Sequence, residues 1–448
     1  MCGVLKKPFK IQKRELHAKM EEINSILSGI LLPIILVASG IYFAARLRFF
    51  YILHPIRTWN CLWEGGKNGG VSPFRALTVA LAGTLGVGNM AGVATAITAG
   101  GAGALFWMWI SALCAMSIKY VEVRLAIETR EYTEAGWRGG AMYYIRRIIH
   151  GRWGKLLASS FALMCAANSL LTGTIVQVNS ACAAFESVPS LYIGIPMGIC
   201  AVWITAGGGK RVSNATVILI PLLSAIYIAL SLAIIFNNAE RLPEILREII
   251  SGAFSLSSVG GGIGGFAMTR AMRFGVTRGI FSNEAGCGTS PTAHAMAETK
   301  SSHHSGCFGI FEVFADTMIL CTMTGFVILL SDMPSLDGIP LTLYAFRTLA
   351  GEWASHIIAI SVILFALSTV ISQSTYAIVS LEYLKRPAVK ILYYVLIFAA
   401  SIWGSIMSPS FMWQMADLVI GLMTVINIFA LLKNKKEHFP KRNVPSVR

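Results

Sequence analysis

Charge is what this sequence is short of. Only 13% of its 448 residues are Asp, Glu, Lys or Arg, where a soluble chain carries about a quarter. With 55% hydrophobic residues and a mean hydropathy of +0.65, the chain lacks the polar surface that water would demand, so lipid is its solvent. It also lacks catalytic signatures. No GxSxG, Walker A or HExxH is present, which argues against hydrolase and phosphotransferase chemistry and for a protein that is not an enzyme. The nine cysteines form no CxxC pair and have no His/Cys spacing suited to zinc. Cys165, Cys182 and Cys321 lie inside apolar runs, where they behave as small hydrophobes. No polar linker divides the chain, and no cleavable signal peptide is visible after its basic start. One all-α polytopic domain is expected.

The formal charge of +15 does not point to nucleic acid, because Lys and Arg sit at the ends of apolar segments rather than in one patch. Eleven segments have about the 20 apolar residues a span needs: 24–45, 73–98, 104–128, 156–186, 191–207, 213–236, 266–297, 307–331, 354–382, 389–407 and 411–432. The stretch 341–353 is too short to cross and is expected at the surface, and the charged 237–252 reads as an interfacial loop or helix. Basic residues crowd alternate loops and the tail, while the opposite loops hold only Arg241, Arg247 and Arg347. The basic side is then cytoplasmic, the C-terminus inside and the protein a multi-pass component of the cell (inner) membrane. The N-terminal tail, with Lys6, Lys7, Lys10, Lys13, Arg14 and Lys19, disagrees with that parity. The expected organisation is a single transmembrane domain over 1–432, comprising a basic tail 1–22, a helix 24–45 and repeats 73–236 and 266–432, followed by a basic cytoplasmic tail 433–448.

The repeat rests on two Gly-x-Gly sites. Gly86 and Gly88 interrupt the second span, Gly286 and Gly288 the seventh, and the spans that follow match in order. Five spans per unit force the second unit to be inverted, and glycine-broken spans at matching places mark a transporter binding site. The bland reading is close helix packing by small residues. A broken helix offers free N–H groups and a positive dipole end to a carboxylate, and free carbonyls to an ammonium or a sodium ion. No carboxylate lies within 82–92 or 361–376, while Ser361, Ser368, Thr369 and Ser372 supply hydroxyls, so an alkali cation is favoured over a proton. Glu284 reads as a helix-terminus or ion-pair residue, and Asp316 as a structural partner. Gln177 and Gln373, mid-span at corresponding places, are candidate ligand groups or interhelical glue. His303 and His304, in a Ser-rich loop, read as solvated. The run Phe106-Trp107-Met108-Trp109 suits an interfacial belt.

Several of these stretches resemble the alanine/glycine:cation symporter family, the sodium:alanine symporters. They are Gly83 to Gly92, Gly100 to Leu113, Gly139 to Ile145 and Arg278 to Gly286 with Ala293-His294-Ala295, in the family's order from about residue 24 to 432. The resemblance implies a LeuT-type fold of five plus five inverted helices with one extra N-terminal helix, two broken helices and about eleven transmembrane helices in all. It implies alanine or glycine as substrate, D-alanine included, moved with sodium. It places Thr84, Gly86, Gln177 and Asn283 around the substrate, and sodium between the carbonyls of Ala82 and Leu85 and the residues Phe365, Ser368 and Thr369. The chain departs from the family's pattern at Ala115, where Gly is usual, at Ala141, where Pro is usual, and at Gln373, where a Trp commonly closes the pocket wall. Gln373 makes that wall more polar and roomier.

The expected function is therefore secondary active symport by alternating access, in a lipid bilayer and with no obligate protein partner evident. The alternative of the same class is a proton-coupled or broader neutral amino-acid carrier. A channel or an amino-acid receptor fits less well, since no continuous polar stripe or charged ring is present.

Overall fold

The structure is a computed structural model that describes residues 22–24, 26–63, 72–134, 136–254, 270–299, 301–385 and 389–434. The basic N-terminal tail, the end of the C-terminal tail and the start of the 266–297 segment lie outside the described residues.

Apolar composition makes helices here because each backbone N–H and C=O must find a partner inside its own segment. The first, α1 (Leu32–Arg46), extends a longer apolar run from Glu22. Two short helices, Phe50–Leu53 and Pro55–Asn60, and a 3-10 turn, Cys61–Trp63, follow it. The second span is bent: α2 (Pro73–Thr84) and α3 (Ala91–Gly100) meet at 57°. Next, α4 (Gly103–Thr129) has 27 residues, about 40 Å at 1.5 Å per residue, more than the roughly 30 Å hydrocarbon core. A hairpin of β1 (Glu131–Thr133) and β2 (Gly136–Arg138) and an amphipathic α5 (Ala141–Ile148) lead to α6 (Gly151–Ala183), which contains a π-helical turn at Leu171–Ile175. The first half closes with α7 (Leu191–Ala206) and α8 (Gly208–Asn237).

The second half begins after α9 (Leu242–Ala253), the charged 237–252 segment, which buries Ile245, Ile249 and Ala253 on one face. Its broken span is α10 (Arg270–Asn283), an irregular stretch and a short α11 (Pro291–Ala295). Then come α12 (Ser302–Leu330), with a π-helical turn at Phe314–Cys321, α13 (Gly338–Ala350), α14 (Glu352–Tyr383), α15 (Val389–Ile406) and α16 (Pro409–Lys433). Among the described residues eight helices are long and apolar enough to cross a membrane, and the bent pair makes a ninth. The expected fifth span coincides with α7, a shorter apolar helix, and the expected seventh with α10, an irregular stretch and α11; neither is among those nine.

Two corrections arise. The 341–353 stretch is not merely superficial. It forms α13, whose inner face buries Leu341, Thr342, Ala345 and Phe346, because its apolar positions recur at helical spacing and Tyr227 of α8 packs on Phe346. The aromatic run at 106–109, expected as an interfacial belt, bonds between helices. Trp107 Nε1 donates to the Ala253 carbonyl at 3.0 Å and Trp109 Nε1 to Thr322 Oγ1 at 2.8 Å, tying α4 to α9 and α12.

The core is built where α10 and α12 pack along α4, and where α14 packs against α2, α6, α8 and α13. Small residues allow the closest crossing. A Cβ on Gly275 of α10 would stand 2.3 Å from the Ala104 carbonyl oxygen of α4. Backbone cannot yield as a flexible side chain can, and overpacking costs about 1–3 kcal/mol. Gly275→Val is therefore expected to lower the detergent melting temperature clearly. Gly92→Ala, where a Cβ meets nothing within 4 Å, is expected to leave it unchanged or raise it, since Ala is the better helix former. Equal melting temperatures for wild type and Gly275→Val would refute the packing account.

Candidate functional site

The first break is set by two residues. Leu85 leaves helical geometry and Gly86 is extended, after which Val87–Asn89 form a single 3-10 turn. Glycine is required at 86 for room, not for backbone freedom. A Cβ there would lie 2.5 Å from Thr369 Oγ1 of α14 and 2.8 Å from Gln177 Oε1 of α6. Three elements therefore converge on one backbone bend. Thr369 Oγ1 donates to the Ala82 carbonyl at 2.9 Å, and Gln177 Oε1 accepts from the Val87 amide at 3.2 Å. Gln177 is held in turn by its own π-helical turn, donating to the Thr172 carbonyl at 3.2 Å. π-helical turns displace the helix ladder by one residue and often mark functional sites.

The sequence-derived candidates thus fall into place unevenly. Thr369 meets Ala82 directly, and Thr369 and Gln177 both close on the space beside Gly86. Leu85, Gly86 and Phe365 line one small cavity with Asn89, Met90, Tyr227 and Leu320. Ser368 is buried, but its hydroxyl donates to the Phe365 carbonyl in its own helix at 2.8 Å. Thr84 is buried and its hydroxyl lies 3.4 Å from the carbonyls of Ala80 and Leu81.

The second break differs in kind. It is a chain of left-handed residues: Glu284 at φ 50°, Gly286 at 85° and Gly288 at 74°. Only glycine adopts such values freely, which accounts for the second Gly-x-Gly. Asn283, at the end of α10, accepts from the Ala285 amide at 3.0 Å and donates to Thr317 Oγ1 at 3.1 Å. The two breaks are joined by Asp316, on the π-helical turn of α12. Its carboxylate accepts from Asn89 Nδ2 at 2.7 Å, Ser282 Oγ at 2.8 Å and Thr317 Oγ1 at 2.8 Å. That is the structural-partner role expected of it. Asn89 Oδ1, by contrast, is buried with no hydrogen-bond partner among the described residues.

Gln373 does not meet Gln177 across the first break. It packs into the notch left by Gly173, whose Cβ would lie 2.5 Å from that of Gln373. Its Nε2 donates to Glu284 Oε1 at 2.5 Å, and its Oε1 has no hydrogen-bond partner among the described residues. Glu284 also accepts from Thr289 Oγ1 at 2.5 Å, so it acts at a helix terminus, as the sequence suggested.

Sequence reasoning missed a buried polar network behind this break. Lys119 and Glu122 of α4 and Glu312 of α12 are completely buried. Lys119 Nζ lies 2.6 Å from Ser290 Oγ and 3.3 Å from Glu312 Oε1, and the other Glu312 oxygen lies 2.9 Å from His294 Nε2. Glu122 accepts from the Gly288 amide at 3.1 Å and from Asn427 Nδ2, while Tyr144 donates to Asn427 Oδ1 at 2.6 Å. The N–H groups freed by this break are thereby partly taken by the protein's own carboxylate, not left for a ligand. A lysine and a glutamate three residues apart inside an apolar helix were the available signal.

The described geometry is two irregular segments between helices, surrounded by buried polar groups. The sequence profile of the Sodium:alanine symporter family matches residues 13–439. This chain belongs to the sodium:alanine symporter family. It is 36% identical over 428 residues to an uncharacterized transporter of Haemophilus influenzae, covering 93% of each chain. It is 34% identical to the sodium/alanine symporter AgcS of Methanococcus maripaludis, over 92% of this chain and 93% of that one. It is 33% identical to the probable sodium/glutamine symporter GlnT of Bacillus subtilis, over 93% and 88%. Among solved structures, MhsT in complex with L-phenylalanine superposes with a TM-score of 0.53 at 15% identity, over 82% of this chain and 89% of that one. Such identity speaks for the fold alone. A member of this family with these helices is a multi-pass membrane transport protein.

Proposed function

We propose that this member of the family is a secondary active symporter that couples sodium entry to uptake of a small neutral amino acid, alanine or glycine, with D-alanine within its range. It works by alternating access and without covalent chemistry. The observation that carries the reading is the junction at the first break. There the Thr369 hydroxyl donates to the Ala82 carbonyl and the Gln177 side-chain oxygen accepts from the Val87 amide. Carbonyl and hydroxyl oxygens suit an alkali cation, and the sodium site of this reading comprises Ala82, Leu85, Phe365, Ser368 and Thr369. Asn89 joins the substrate group of Thr84, Gly86, Gln177 and Asn283, because its free Oδ1 can accept from an ammonium. Gln373 enters as the residue that sets the second break through Glu284. The cavity holds about one water, so an amino acid enters only when the walls move, as alternating access requires.

The same reading takes residues 1–432 as one domain with eleven passes, the C-terminus in the cytoplasm and the protein in the cell (inner) membrane. Relatives named for alanine and for glutamine are about equally similar, so membership alone does not choose the substrate. A second reading, proton-coupled carriage, is favoured by one observation, the buried Glu122, Glu284 and Glu312 around the second break.

In proteoliposomes an inward sodium gradient is expected to drive alanine accumulation, and a proton gradient in sodium-free buffer is not. Equal uptake from protons alone would overturn the first reading in favour of the second. Thr369→Ala is expected to raise the sodium concentration needed for half-maximal uptake. Asn283→Ala is expected to weaken alanine binding by roughly ten- to a hundredfold, the effect of losing a charge-assisted hydrogen bond of about 1.5–3 kcal/mol. Normal alanine affinity in a well-folded Asn283→Ala protein would remove that residue from the pocket.

A further inference from the structure

Away from the transport site, Cys61, His303 and Cys307 bring their ligand atoms within 4.8 Å of one another. Cys61 opens the 3-10 turn that follows the first helix. His303 and Cys307 stand one turn apart at the start of α12, a helix where a loop was expected; His303 is exposed, as expected, while neighbouring His304 is buried. The linear spacing of these residues resembles no zinc motif, because the fold, not the sequence, assembles them.

We propose that these three side chains form a binding site for zinc(II), with two thiolates, one imidazole and an open fourth position. Sulfur and imidazole nitrogen suit zinc and disfavour calcium and magnesium. Zinc bonds of about 2.3 Å to sulfur and 2.0–2.1 Å to nitrogen place neighbouring ligands of a tetrahedron about 3.5–3.8 Å apart. Cys307 Sγ and His303 Nε2 stand 3.9 Å apart. The histidine is also oriented for the task. Its Nδ1 lies 2.6 Å from the hydroxyl of Tyr120 on α4, which leaves Nε2 turned to Cys307. Such an outer partner on the second ring nitrogen is the usual companion of a metal-bound histidine. Phe50 packs edge-on to Tyr120 at 5.1 Å and lies against the His303 ring at 6.0 Å, walling one side.

The site joins the connector after the first helix to α12, the helix that carries Asp316 and Thr317. Bound zinc is a staple between these elements, and the proposal stands independently of which amino acid or ion the protein transports.

The test is zinc titration of the full-length purified protein, first stripped with a chelator, in competition with a chromophoric zinc indicator. Wild type is expected to take up one equivalent. Cys61→Ser, Cys307→Ser and His303→Ala are each expected to weaken binding by about a hundredfold or more, beyond the roughly 10–100-fold cost of disturbing an outer partner. Cys200→Ser, at an exposed cysteine elsewhere, is expected to change nothing. Cobalt(II) in place of zinc is expected to show thiolate-to-metal absorption in wild type and in His303→Ala, reduced in either cysteine variant. Because Cys307 is completely buried, Cys61→Ser carries the test if Cys307→Ser fails to fold. Absence of zinc uptake by wild type, undiminished binding in Cys61→Ser, or a disulfide joining Cys61 to Cys307 in the purified protein would each overturn the assignment.

Discussion

Lys119→Met is expected to abolish transport and to cut the yield of folded protein severely. Lys119 and Glu312 are both without solvent exposure and 3.3 Å apart. Removing one partner of such a pair leaves the other charge buried, at about 3–5 kcal/mol. Set against a total stability of about 5–15 kcal/mol, that is enough to empty the native state at moderate temperature. His294 Nε2 remains 2.9 Å from Glu312, a hydrogen bond that offsets part of the loss. The decisive comparison is the double variant Lys119→Met with Glu312→Gln, which removes both charges at once. It is expected to recover most of the melting temperature lost by the single variant, because a neutral pair carries no uncompensated charge. A single variant that melts within a degree or two of wild type would show that the pair holds nothing together. A double variant no better than the single would show that packing, not charge, was lost.

Gly86→Val is expected to remove sodium-driven uptake while leaving a folded protein. The branched side chain would enter a space already held by Thr369 Oγ1 and Gln177 Oε1. Both are ends of side chains, not backbone, so they can move aside, and the fold survives at an overpacking cost of about 1–3 kcal/mol. Moving them aside breaks the contact of Thr369 with Ala82 and that of Gln177 with Val87. Those two contacts hold the bend in the shape the proposed sodium and substrate sites require. Uptake should therefore fall by about a hundredfold or more, the consequence of losing about 2.7 kcal/mol of binding at a site of this kind. Gly92→Ala, six residues on and free of neighbours, serves as the control. A monodisperse Gly86→Val protein with normal sodium-driven uptake would contradict the placement of the site at this bend.

Hydropathy alone located the long helices, because a segment that satisfies its backbone internally in lipid must be both long and apolar. The two breaks were legible for a related reason. Gly286 and Gly288 carry left-handed backbone, and Gly86 gives way to Thr369 and Gln177, so both places demand glycine. The run of hydroxyls without carboxylates pointed only to an alkali cation; the pairing of Thr369 with Ala82 came from the family resemblance, which set both at one site. Other features were hidden because they exist only after folding. Lys119, Glu122, His294 and Glu312 each look like an isolated anomaly in an apolar run, and nothing in the linear order says that they meet. Gln373 and Gln177 were expected at matching positions in their spans, yet Gln373 packs into the notch at Gly173 and donates to Glu284. Cys61 is far in sequence from His303 and Cys307. Only the one-turn spacing of the latter two gave any sign of a shared face.

The most direct test of symport follows the ion itself. Radioactive sodium entering proteoliposomes is measured with and without external alanine, with no imposed voltage or proton gradient. The proposed mechanism predicts that alanine accelerates sodium entry, and that Thr369→Ala reduces the acceleration. Sodium entry indifferent to alanine, in vesicles that still take up alanine, would contradict coupling to sodium.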